Sequence, residues 1–155
     1  MNGAHFHLIT NHIPVLGAIA SLIFLSWAAF KNDRSLTAFS YQFIVLIGLL
    51  TLPAYFSGEF AEEIVEHLPG ISEDIIEAHE DFGKYALIAT EVLAAIALYG
   101  LFLFRKNAEK AMKFWKVILI FAIINTLIML QTANLGGQIN HPEIRDTSPE
   151  LLESK

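Results

Sequence analysis

The sequence contains no cysteine. That excludes disulfides, thiolate-ligated metal sites and covalent c-type haem attachment. Charge is scarce as well: 17% of the 155 residues are charged against 54% hydrophobic, which is too apolar for a soluble domain of this length. There is no glycine-rich phosphate loop, no Ser-His-Asp order and no zinc-protease motif, so classical enzyme chemistry is not expected, and nothing points to nucleic acid. No lysine or arginine precedes the first apolar run, which is also longer than the 7–15 residues of a signal-peptide core, so it is expected to be a retained span. Basic residues are missing altogether from "GEFAEEIVEHLPGISEDIIEAHEDFG", residues 58–83, which holds nine carboxylates and two histidines.

What the chain does have is four apolar runs, at 8–30, 38–57, 85–104 and 117–135. Each is near the ~20 residues a helix needs to cross ~30 Å of hydrocarbon. Lipid offers the backbone no hydrogen-bond partners, so such runs must be helices. A soluble four-helix bundle would show polar outward stripes, and these runs lack them. With short connections the expected fold is all-α, an integral membrane up-down-up-down four-helix bundle. It forms one domain over 1–145, followed by a polar tail over 146–155; no repeat, low-complexity segment or heptad pattern interrupts it.

Seven of the ten basic residues lie in two connections, Lys31 and Arg34 in the first and Arg105, Lys106, Lys110, Lys113 and Lys116 in the third. The positive-inside rule places both in the cytoplasm. Both termini and the acidic connection then face outward, in the periplasm if the membrane is a bacterial inner membrane. All six histidines, His5, His7, His12, His67, His79 and His141, fall on that side. The 58–84 connection is expected to form short amphipathic helices: "GEFAEEIVEHL" continues the second helix past the membrane surface until Pro69-Gly70 breaks it, and Ser72 caps a second segment with acids in its first turn.

Counting ~1.5 Å per residue from the basic ends of straight helices gives each polar group a height. His7 and Glu59 fall at about 33–35 Å, and His79, Glu62 and Glu63 at about 37–39 Å, one level just above the hydrocarbon. His141 lies close to it, with "LGG" expected to end the fourth helix. Imidazoles and carboxylates converging at one height suit zinc, iron, manganese or copper, which makes His7, Glu59, Glu62, Glu63, His79 and His141 the candidate metal ligands. A haem b asks for one or two imidazoles at matching depth on facing helices. His7, His12 and His79 are its candidate ligands, His12 lying lower at roughly 27 Å. The same residues also fit a solvated acidic cap with interfacial histidines and no cofactor. Glu91 stands alone as an acid at about two-thirds depth, with Gln131 at similar height and Asn125 below. A carboxyl there serves either a proton path from His12 or a helix-register contact with Gln131.

"HLITNHIPV" in the first helix, "LPAYFSGE" leaving the second, "EAHEDFGKYALI" entering the third and "TANLGGQINHPEI" leaving the fourth carry a resemblance. Over about residues 5–145 the chain resembles a widespread bacterial family of predicted four-helix membrane proteins catalogued as a domain of unknown function. The shared pattern falls on His7, His12 and Pro14, on Ser57-Gly58, on His79, and on Leu135-Gly136-Gly137 with His141. The resemblance implies the fold and the membrane location. Some relatives are fused to a Rieske-type iron–sulfur domain, which implies a redox setting; this chain has no such domain, and its acidic connection is longer and more charged.

The leading expectation is therefore a small membrane protein that binds haem b, or iron, copper or zinc, near its outer face and transfers electrons there. A basic redox protein or a membrane complex would dock on the acidic face. The alternatives are a non-redox accessory or scaffold subunit and a small cation or proton transporter using Glu91.

Overall fold

The structure, a computed structural model, describes residues 2–145; the tail expected over 146–155 lies outside the described residues. Six α-helices and one 3-10 turn follow in order: α1 (Gly3–Thr10), α2 (His12–Lys31), α3 (Arg34–Val65), α4 (Glu73–Lys106), α5 (Ala108–Lys113), α6 (Trp115–Asn140) and the turn Pro142–Ile144. No strand occurs among the described residues. They make four antiparallel rods, Gly3–Lys31, Arg34–Val65, Glu73–Lys106 and Ala108–Asn140, each long and apolar enough to cross a membrane. α2 packs against α3 and α6, and α4 against the same two, so the rods stand in a square; α1 leans on α3. Antiparallel packing gathers the basic connections at one end, and residues 58–83 with both described termini at the other.

Bulky side chains concentrate in the basic half. Leu25, Tyr41, Ile44, Leu93, Ala97, Ile118 and Ala122 form the main core there. Toward the acidic end the buried cluster shrinks to Ala18, Ala86 and Met129. The opposite face of each rod carries exposed Leu16, Ile23, Leu49, Ile88, Leu98, Ile120 and Leu127, the outward-facing apolar surface that lipid requires. Buried hydroxyls are satisfied within their own helix: those of Ser40, Thr51, Thr90 and Thr126 donate to the carbonyl four residues back at 2.8 Å. Thr90 shares its one hydroxyl proton between the Ala86 carbonyl and Asn125 Oδ1, each 2.8 Å away, and the second contact ties α4 to α6.

Four local expectations are corrected. The first rod is broken at Asn11, because Pro14 has no N–H to give the Thr10 carbonyl four residues back. The 58–84 segment continues the second helix as expected, but α3 ends at Val65, ahead of Pro69-Gly70, and the part after Ser72 is the opening of the unbroken α4, so neither half is a short helix of its own and 66–72 is the connection. Gly70, at φ +84°, makes its turn, and Ser72 stands at the N-cap with Glu73 and Asp74 in the first turn but makes no side-chain cap bond. The Gly136-Gly137 pair does not end the last helix, which continues to Asn140. Neither glycine has positive φ, and a Cβ at Gly136 would lie 2.9 Å from His79 Cε1, so this glycine provides clearance for the imidazole. Finally, Gln131 is exposed and does not reach Glu91, because it projects from a different face of α6 than the buried Asn125 and Met129.

Candidate functional site

The small side chains of the acidic half leave a cavity of about 560 Å³ between the rods. Its walls are mostly apolar, with His7, Asn11, His12, His79 and Thr132 among the polar exceptions. Apolar walls with a few convergent polar groups are the usual make-up of a cofactor pocket of this size.

His7 and His79 meet across this space. Their ring centroids are 6.4 Å apart and the rings nearly perpendicular, at 79°. His7 Nδ1 lies 3.1 Å from the Ala54 carbonyl and 3.0 Å from Ser57 Oγ. Ser57 already commits its one proton to the Ala54 carbonyl at 2.7 Å, so the proton shared with His7 must be on Nδ1. Pro53 stands one residue before Ala54, and α3 continues through it to present these acceptors.

His79 is held in the same way from α6. Its Nδ1 donates to the Thr132 carbonyl at 3.0 Å, while the Thr132 hydroxyl shares its one proton between the Ile128 carbonyl at 2.9 Å and the Phe82 carbonyl of α4 at 3.2 Å. With Nδ1 protonated in both rings, both Nε2 atoms carry lone pairs, and neither makes a hydrogen bond among the described residues. A backbone carbonyl fixing tautomer and ring direction is the support that metal-ligating histidines commonly have.

The other candidates are distributed around this pair. His12 lines the cavity, exposed, five positions past His7 and outside the ring pair. Glu59 and Glu62 are on the α3 wall, whereas Glu63 is exposed and does not line the cavity. His141 lines the mouth, and its Nδ1 lies 2.9 Å from Glu143. The Glu143 carboxyl is held below the usual range, first by its own backbone N–H and then by His141. Glu62 sits above the apolar run 38–57; burial, followed by the nearby Glu80 and Glu66 charges, raises its carboxyl above the usual range. Among the described residues no group of three or more His, Asp or Glu side chains is placed to hold a metal ion, so the six proposed metal ligands are not assembled into one protein-only site.

Two polar atoms are buried without a partner among the described residues, Asn11 Oδ1 and Glu91 Oε1. Asn11 lines the cavity. Both Glu91 oxygens lie 3.8 Å from where a Gly48 Cβ would stand, so Glu91 is directed at α3. Asn125, expected near Glu91, pairs with Thr90.

Sequence reasoning missed Thr132, Ala54 and Asn11. The ring acceptors on α3 and α6 are backbone carbonyls, which no side-chain pattern reveals; Ser57-Gly58 and the Gly136-Gly137 pair were the available signals. Compared with known proteins, the chain matches no family model, no curated protein and no solved structure.

Proposed function

We propose that this chain is a multi-pass membrane protein that holds a haem b between His7 and His79 and transfers electrons at that end. The observation that carries the reading is the ring pair, 6.4 Å apart, with both Nδ1 atoms tied to carbonyls. With both Nε2 atoms unengaged, His7 and His79 would be the residues that hold the iron of a group placed between them. Two imidazoles are few for a bare transition-metal ion, whereas haem brings four nitrogen ligands of its own. A bound haem would supply reversible one-electron chemistry. The chain's contribution is to fix both imidazoles, to surround the ring with apolar wall and to set a polar rim of Asn11, His12 and Glu62 at its edge.

Positive-inside asymmetry supports a topology with Lys31, Arg34 and Arg105 to Lys116 in the cytoplasm and both termini outside, in a bacterial inner membrane. The acidic rim then faces a basic redox protein, whose encounter it would speed by long-range attraction.

The test is an absorption spectrum with metal analysis on protein purified in mild detergent from its native membrane. A reducible Soret and α band, lost in His7→Ala and in His79→Ala, is the expected result. A colourless, metal-free protein that also takes up no added haem overturns the reading and leaves a scaffold subunit.

Glu91 favours a second reading, a small cation or proton transporter. An acid inside the bundle with a buried oxygen lacking a partner is the kind of group that ion pathways use. In liposomes, flux lost in Glu91→Gln but kept in His79→Ala would select this reading over electron transfer.

A further inference from the structure

The basic end of the bundle carries a second cavity, of about 440 Å³. Asn32 lines it from the α2–α3 connection, Arg34 from the start of α3, Glu109, Met112 and Lys113 from α5, and Trp115 from the start of α6. Its walls are fixed. Asn32 closes α2 in the left-handed conformation, with its N–H on the Ala28 and Ala29 carbonyls. Asp33 caps α3 by accepting the Leu36 N–H at 2.7 Å. On the other side Ala111 is fully buried, and the Tyr41 hydroxyl donates to its carbonyl at 3.0 Å, which holds α5 against the bundle.

Arg34 lies on this cavity without a carboxylate or hydrogen-bond partner among the described residues; its guanidinium rests 5.8 Å above the Phe104 ring. Lys113 pairs with Glu109 at 2.6 Å, but both side chains are about three-quarters exposed, so this ion pair is weak and exchangeable. Residues 31–34 and 105–116 hold seven basic and two acidic side chains, an excess of five positive charges. Beside them, Phe30 is 84% exposed and Trp27 51%, an apolar flank continuous with the lipid-facing surface.

We propose that this cavity binds the phosphate of an anionic phospholipid. The inference rests on the four rods crossing a bilayer and is independent of any haem. Arg34 offers a planar fork that takes two phosphate oxygens at once, and Lys113 adds a point charge by exchanging Glu109 for the lipid. Asn32 and Trp115 supply neutral N–H donors at headgroup level, where tryptophan commonly sits. The acyl chains then run along the Phe30 and Trp27 flank. Basic pockets between spanning helices hold acidic headgroups in this way.

The test is native mass spectrometry of the detergent-solubilised full chain with added dioleoyl phosphatidylglycerol or dioleoyl phosphatidylcholine. One phosphatidylglycerol should be retained per chain, with phosphatidylcholine retained far less. Arg34→Gln should weaken retention by about tenfold or more, the loss of one charge-assisted contact, and Arg34→Lys should recover part of it. If Arg34→Gln does not fold, Lys113→Gln serves, with a smaller loss. Equal loss in Arg105→Gln and Lys116→Gln would show diffuse attraction and overturn the site, as would equal retention of both lipids. Displacement of phosphatidylglycerol by millimolar inorganic phosphate would show a free-phosphate site and overturn the lipid assignment.

Discussion

Gly136 and Gly83 both line the large cavity, yet a methyl group meets different surroundings at each. At Gly136 it would lie 2.9 Å from His79 Cε1 and 3.3 Å from Nδ1, whereas at Gly83 nothing stands within 4 Å. Gly136→Ala should therefore push the imbidazole from its place and weaken haem uptake while the bundle still folds, and Gly83→Ala should leave uptake unchanged; spectroscopic titration beside a thermal melt separates the two. Ser57→Ala removes one of two acceptors around His7 Nδ1, and the Ala54 carbonyl remains. The expected loss of affinity is about tenfold, the low end for a residue that orients a ligand. Glu62 gives a pH dependence. Its carboxyl is raised by burial and by Glu80 and Glu66, so the folded chain binds that proton more readily than the unfolded chain. Stability then falls as pH rises from the ordinary carboxylate range through the raised value. The melting temperature should increase on acidification from neutral pH into that window, and Glu62→Gln should flatten the change.

At the scale of elements, α4 and α6 are joined inside the apolar bundle by the Thr90–Asn125 hydrogen bond, and both residues are about 2% exposed. Asn125→Ala should destabilise the bundle by about 0.6–1.7 kcal/mol, the measured scale for such bonds between membrane helices; unfolding in mixed detergent reads it. The four rods were legible in the sequence because an apolar run of about 20 residues has few alternatives to a spanning helix. Heights along the rods were legible too, since rise per residue is nearly constant, and the ruler set His7 and His79 at one level. Azimuth was not. Gln131 matched Glu91 in height but faces elsewhere, because rotation about a helix axis depends on packing that a linear count does not contain. The Gly136-Gly137 pair misled for a related reason: glycine serves both a helix end and a close approach, and only the neighbouring His79 ring tells them apart. The break at Asn11 was readable from Pro14, whose missing N–H falls four residues after Thr10.

Across the whole molecule, bulk and charge are divided between the two ends. Large side chains fill the basic half and small ones leave the acidic half open, so the same pattern that makes the bundle also makes the cavity. The absence of cysteine makes the proposed topology directly measurable. In intact cells a membrane-impermeant maleimide should label His67→Cys, whereas Lys110→Cys should react only after lysis; the reverse pattern would invert the orientation. A haem held between His7 and His79 can be sought by titrating hemin into the detergent-solubilised chain and into His7→Ala and His79→Ala. The wild-type chain should take up one haem with a six-coordinate, low-spin spectrum, and either variant should give a five-coordinate spectrum or none. Unsaturable binding, or the same spectrum in all three proteins, would rule out a haem held by this histidine pair.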